Sequence, residues 1–180
     1  LRDRMKFFKK APETEKIVES LKDNNNIYLV PAFTGLGAPY WDANARGVLS
    51  GITRDTSPKE IVRATIEAVA YQTYDLFEAM KHDGLRPKIV KVDGGMVMNN
   101  WFSQFLSDIV NVKVLRPRVQ ETTALGAALM AGLQIGVYKS LKDISKNWHL
   151  DKKFTPKMKN PLRNRLLKGW LVAIKKTLSN

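Results

Sequence analysis

The sequence contains no cysteine. Disulfides, thiolate metal sites and a cysteine nucleophile are therefore excluded, and the lack of cysteine fits a reducing compartment. Histidine is nearly absent too: His82 and His149 are far apart and have no ligand-type residue at metal spacing, so both read as ordinary surface positions. No apolar run approaches the ~20 residues that cross a bilayer. No signal-peptide pattern is visible, and Leu1 stands where an initiator Met would, which points to a fragment or processed piece. The sequence has no Gly-x-x-x-x-Gly-Lys-Ser/Thr phosphate loop. "GLGAPY" (35–40) fails as a dinucleotide fingerprint, because Tyr40 takes the place of the third glycine and Pro39 blocks a helix there.

Acidic charge is scarce. Seventeen Asp and Glu face 30 Lys and Arg, giving a net charge of +13. Nucleic acid is one partner such a balance suggests. The basic residues are dispersed, however, with mild clusters at 2–10, 152–165 and 175–176, and no aromatic-interleaved RNA-binding motif is present. The expectation is a solvated lysine-rich surface that also attracts phosphorylated ligands, with no nucleic-acid partner and no membrane span.

What is present supports a packed core. The chain has 180 residues and is 44% apolar, and a domain of this length buries roughly 70% of its unfolded surface. Residues 1–22 read as a polar helical segment broken at Pro12, followed by a turn at "DNNN" (23–26). "IYLVP" (27–31) and "VLSGITR" (48–54) read as strands around a Gly-, Ala- and Pro-rich loop (32–47). Ser57, Pro58 and Glu60 form a capping box that opens a long helix ending near Gly84. Val62, Ile66, Val69, Thr73, Leu76 and Met80 are spaced as its buried stripe.

A strand at 89–92, a helix from about 100 to 109 with Phe102, Phe105, Leu106 and Ile109 on one face, and a strand at 112–115 follow. The Ala- and Gly-dense stretch 123–136 is next, a helix expected to pack closely on a sheet. Residues 137–160 look irregular, with a short turn after Ser140, and Asn160-Pro161 is expected to cap a last helix over 161–178 with Leu162, Leu166, Gly169, Ala173 and Thr177 on one side. The spacing from 89 to 133 is that of a βαβα unit, hence an α/β fold.

The most telling stretch is "VDGGMVMNN" (92–100). In open α/β sheets, ligands sit at the carboxyl ends of strands. Gly94 and Gly95 would let a ligand reach bare backbone there, and Asn99 and Asn100 fall where a helix begins, with free N–H groups and a positive dipole end. An asparagine side chain offers a donor and an acceptor to an adenine or ribose edge. The same residues also make a tight turn with Asn100 as a helix cap, and both readings stand on the sequence. Asp42 and Asp93 are the most constrained carboxylates; either has the chemistry to touch a metal-bound phosphate, and stabilising a turn is the simpler role for each.

Five stretches together resemble a known family: "PAFTGLGAPYWD" (31–42), "ARGVLSGITR" (45–54), "IVRATIEAVAYQTYD" (61–75), "VDGGMVMNN" (92–100) and "ETTALGAALMAG" (121–132). They are similar to the C-terminal half of the glycerol kinase branch of the FGGY carbohydrate kinases, and Gly47 to Glu67 follows the spacing of that family's second signature. The resemblance implies part of an actin/hexokinase/Hsp70-like (ribonuclease H-like) ATPase lobe. It divides the chain into an N-terminal helical segment (1–26), the partial nucleotide-binding lobe (27–136) and an extension with a basic terminal helix (137–180).

It also implies transfer of the ATP γ-phosphoryl group to glycerol, with Mg²⁺, in the cytoplasm, in a homodimer or homotetramer. Gly95 and Asn99, beside Gly94, would belong to the nucleotide pocket. The general base, the glycerol site, the metal ligands and the phosphate-gripping turn would all lie upstream of Leu1. The chain is then expected to be inactive alone and to need the N-terminal half as partner. Another FGGY sugar kinase and a non-catalytic nucleotide-binding remnant are the alternatives.

Overall fold

In the computed structural model, residues 1–179 are described. The N-terminal segment is mostly turns, and its one helix, α1 (Glu13–Glu19), begins only after Pro12. The helix expected over residues 1–22 is thus confined to its last part. Asn25 and Asn26, both at positive φ, turn the chain into β1 (Tyr28–Val30). This strand pairs antiparallel with β2 (Val48–Ser50).

The long helix α2 (Pro58–His82) carries the full expected cap: the Ser57 hydroxyl accepts the Lys59 N–H, and the Glu60 carboxylate accepts the Ser57 N–H at 2.9 Å. Its buried side is not the expected stripe. Glu60, Ala64, Glu67, Ala68, Tyr71 and Asp75 face the core, whereas Val69, Leu76 and Met80 are exposed on the opposite side. Alanines let β1 and α3 (Asn100–Val110) approach this helix closely. The polar groups among them are satisfied internally: Arg63 Nε meets Glu67 at 2.8 Å, and the Tyr71 hydroxyl donates to the same carboxylate at 3.1 Å. Only the start of the expected stripe is covered; Val62 is buried, with Leu1, Phe8 and Ala11 beside it.

A three-stranded sheet holds β3 (Ile89–Lys91), β4 (Lys113–Pro117) and β5 (Leu150–Phe154), in that order. β3 runs parallel to β4, with α3 as the crossover, and β5 runs antiparallel to β4. Phe102, Phe105, Leu106 and Ile109 of α3 are all buried, as their spacing requires. They join Tyr71, Val114, Phe154 and Trp170 in the core. Within it, Tyr71 stacks on Trp170 with ring centres 5.2 Å apart.

β5 and the short helix α5 (Leu141–Ser145) lie in the stretch that read as irregular. The final helix α6 (Asn160–Thr177) packs on β1 and β2 through Leu166, Trp170, Ala173 and Thr177, while Leu162 stays exposed. Asn160 is its first residue and Lys159 its cap, so the expected asparagine cap does not form. α4 (Thr122–Gln134) also departs from expectation. It lies against α5 rather than on a sheet, and Gly132 is its one buried residue.

Candidate functional site

The carboxyl ends of the parallel strands β3 and β4 bring three segments together. After β3 the chain bends at Gly94 (φ +85°) and enters a 3₁₀ turn, Gly95–Met98. Only glycine takes that φ without strain. The Gly94 N–H donates to Gln120 O at 3.3 Å, which ties the bend to the loop after β4 and the start of α4. A Cβ placed on Gly94 or Gly95 would meet no atom within 4 Å. The bend is therefore open on its outer side, and nothing in the packing of residues 1–179 requires Gly95 to be glycine. Among the described residues the Gly95 and Met96 N–H groups donate to no protein acceptor.

The start of α3 is arranged differently from the sequence reading. Asn99, not Asn100, is the N-cap, with its Oδ1 accepting the Phe102 N–H at 2.8 Å. Glu15 of α1 accepts the Asn100 N–H at 2.7 Å and the Trp101 N–H at 3.3 Å. The first-turn amides are thus occupied by a carboxylate of the same chain, which also neutralises the helix dipole. An anion has no free amides at that helix end. The Asn99 Nδ2 retains one long contact, 3.4 Å to Thr14 Oγ1.

Behind the turn stands Arg116 of β4, a residue that the sequence reading did not single out. It is buried, with its Nε 2.7 Å from Asp151 of β5, and its guanidinium donates to Val97 O at 2.7 Å, Met98 O at 3.3 Å and Asn100 Oδ1 at 3.3 Å. Lys152 adds a second donor to Asn100 Oδ1 at 3.0 Å. The one signal in the sequence is an arginine inside the apolar run "VKVLRP"; its partners lie elsewhere in the chain.

The remaining candidates separate from this place. Asp93 is exposed at the end of β3. Asp42 organises its own loop by accepting the Asn44 and Ala45 N–H groups, and it receives the Ser179 N–H at 2.7 Å. The backbone N–H of Ser179, with the Ser179 hydroxyl and the loop amides, holds the Asp42 carboxyl below the usual range. His82 and His149 are exposed. Among the described residues no three His, Asp or Glu side chains gather as a metal site. No helix of the described residues is long and apolar enough to cross a membrane.

The parallel βαβ unit with a glycine bend at the strand ends belongs to a mixed α/β chain whose structural neighbours have the actin/hexokinase-like ATPase fold. The profile of the C-terminal domain of the FGGY family of carbohydrate kinases matches residues 3–135, and the chain belongs to that family. The Pseudomonas aeruginosa protein named glycerol kinase 1 is 53% identical over 179 residues, which cover 99% of this chain and 36% of that protein. The crystal structure of Plasmodium falciparum glycerol kinase with ADP superposes with a TM-score of 0.87 at 34% identity, covering 99% of this chain and 36% of that one. A xylulose kinase from Lactobacillus acidophilus shares the fold at a TM-score of 0.77 and 24% identity, with 97% of this chain and 36% of its own covered. The chain thus spans about a third of the length of the relatives it matches.

Proposed function

We propose that this chain is the nucleotide-side lobe of a kinase that moves the γ-phosphoryl group of ATP to glycerol, giving sn-glycerol 3-phosphate. The observation that carries the reading is the outward-facing, side-chain-free bend at Gly94–Gly95, at the carboxyl end of a parallel strand in an FGGY C-terminal domain. The resemblance to glycerol kinases over nearly the whole chain supplies the acceptor.

In this reading Gly95 lies against the adenosine portion of the nucleotide, where any larger side chain would occupy the ligand's space. Asn99 contributes through Nδ2, its Oδ1 being used to cap α3. The lobe's role is positional. It fixes one end of ATP so that the γ-phosphate and the acceptor hydroxyl line up, and such transfers depend on alignment and charge stabilisation. Among the described residues no three His, Asp or Glu side chains gather as a metal site. The ion that accompanies ATP, the general base and the glycerol site belong, in this reading, to the other part of the kinase. A general base contributes about 10²- to 10⁴-fold, so the chain alone is expected to show no turnover. The assembled enzyme is assigned to the cytoplasm, as a homodimer or homotetramer.

A chimera tests the reading. Residues 1–180 are placed in the Pseudomonas aeruginosa relative in exchange for the segment they match. The chimera is expected to phosphorylate glycerol. Its Gly95→Val variant is expected to lose ATP affinity with the KM for glycerol unchanged. A chimera that folds but transfers no phosphoryl group from ATP overturns the kinase reading. Normal ATP affinity in Gly95→Val overturns the site.

A further inference from the structure

We infer that Arg116 is the positioning residue of the nucleotide bend, a role that deepens the reading above and rests on it. The bend has no packing on its outer side, so its shape must be set from behind. Arg116 does this from the neighbouring parallel strand: one guanidinium bonds two successive carbonyls of the 3₁₀ turn, Val97 O at 2.7 Å and Met98 O at 3.3 Å, and also the Asn100 side chain at 3.3 Å. The carbonyl end of the turn is thus bonded toward β4, and at its other end the Gly95 and Met96 N–H groups donate to no protein acceptor among the described residues. A planar fork with five donors can hold several acceptors in one fixed arrangement; an ammonium cannot.

The guanidinium is itself fixed. Asp151 on β5 accepts its Nε at 2.7 Å, and the Phe154 ring lies 5.6 Å from its central carbon. The charge is buried and paired, so its removal would leave Asp151 and Met98 O without their donor, while Val97 O would keep the Ser103 hydroxyl at 2.9 Å. From the other side, Glu15 and Thr14 of α1 hold the Asn99–Trp101 segment. The bend is thus clamped between β4 and α1, and Arg116 is the member of that clamp that touches the turn. Displacement of a bound group by about 1 Å can cost about 10²-fold in a reaction that depends on alignment.

The test uses the chimera and its parent in parallel. Arg116→Met is expected to weaken ADP binding, measured by calorimetry, and to lower kcat by about 10²-fold, with the KM for glycerol unchanged; Arg116→Lys is expected to fall between. In the chain itself, without nucleotide, hydrogen exchange at Met98 and Asn99 is expected to speed up in Arg116→Met while the interior of α3 keeps its protection. Unchanged ADP affinity in folded Arg116→Met overturns the proposal.

If that variant does not fold, Asp151→Asn takes its place. The Asp151 side chain is 40% exposed, so the fold is expected to survive and ADP affinity to fall by a smaller factor; unchanged affinity there is equally fatal. Gly95→Val separates the two levels. If it binds ADP normally, the nucleotide reading fails. If it loses ADP while Arg116→Met does not, only the positioning role fails.

Discussion

Gly169 of α6 lies so close to Tyr28 of β1 that a Cβ on it would stand 2.2 Å from the tyrosine hydroxyl and 2.3 Å from Cζ. The ring cannot retreat freely: Tyr28 is 5% exposed and packs against Tyr71 with centroids 5.9 Å apart. Alanine in a helix interior is ordinarily worth up to about 1 kcal/mol over glycine, but overpacking a tight core costs about 1–3 kcal/mol. The overlap is deep enough for the second effect to win. Gly169→Ala is expected to lower the urea midpoint with an unchanged m-value. A gain in stability would mean that α6 and β1 are not in contact at this point.

The cap of α2 gives a smaller and cleaner prediction. The Ser57 hydroxyl both accepts the Lys59 N–H and sits 2.5 Å from Glu60. Ser57→Ala is expected to cost about 1 kcal/mol, read as a drop in thermal midpoint. Ser57→Asp is expected to restore less than Ser57→Thr, because a second carboxylate would face Glu60.

Ser57 also shows why some of the fold was legible. Its box, Pro58 and the α3 face Phe102–Ile109 are local patterns, and each appears in the structure as read. The βαβ order from β3 to β4 was legible for the same reason, because each element announces its own period. α2 was misread because it has two apolar-looking faces. The one with more branched residues, Val69 to Met80, is outward, and the one interrupted by Glu67 and Asp75 is inward. Arg63 stands at i,i+4 from Glu67, a pairing that spacing allows, but spacing cannot show that Trp170 would bond Asp75. β5 was hidden because "LDKKF" buries only Phe154, its ladder being held by the backbone of β4. The bend at Gly94–Gly95 was legible from composition, whereas the clamp behind it depends on Glu15, Arg116 and Asp151, three residues brought together only by folding.

The outward face of α2 leads to a prediction about the isolated chain. Leu76 and Met80 are 40% and 39% exposed, and Ile135, just after α4, is 77% exposed. The outer edge of β3 has no partner strand among the described residues. Such surfaces promote association. The chain is expected to self-associate in light scattering at micromolar concentration despite its net charge of +13. Leu76→Lys and Ile135→Lys are expected to reduce that scattering while leaving the stability within about 0.5 kcal/mol of the parent. If neither changes the scattering, the association is carried elsewhere.

Asp75 yields a prediction with a definite sign in pH. Burial pushes its carboxyl up to about 6; hydrogen bonding, with the Trp170 Nε1–H at 2.8 Å from Oδ2, opposes the rise, and the Glu78 charge adds to it. The folded chain therefore holds a proton on Asp75 more tightly than the unfolded chain, in which the group has its ordinary value of 3.8. The stabilisation from that proton is fully present below about pH 4 and is lost as pH rises through about 6. Asp75→Asn removes the titration while keeping an oxygen to accept the indole N–H. The substituted chain is expected to match the parent at pH 4 and to exceed it at pH 7 by up to about 3 kcal/mol, since a tenfold change in proton affinity is worth about 1.4 kcal/mol. Urea midpoints at pH 4, 5.5 and 7 check this. If Asp75→Asn is less stable than the parent at pH 7 but not at pH 4, the ionised carboxylate is favoured in the folded chain and the contact with Trp170 is a charge-assisted one; an equal difference at all three pH values means that folding leaves the affinity of Asp75 for its proton unchanged.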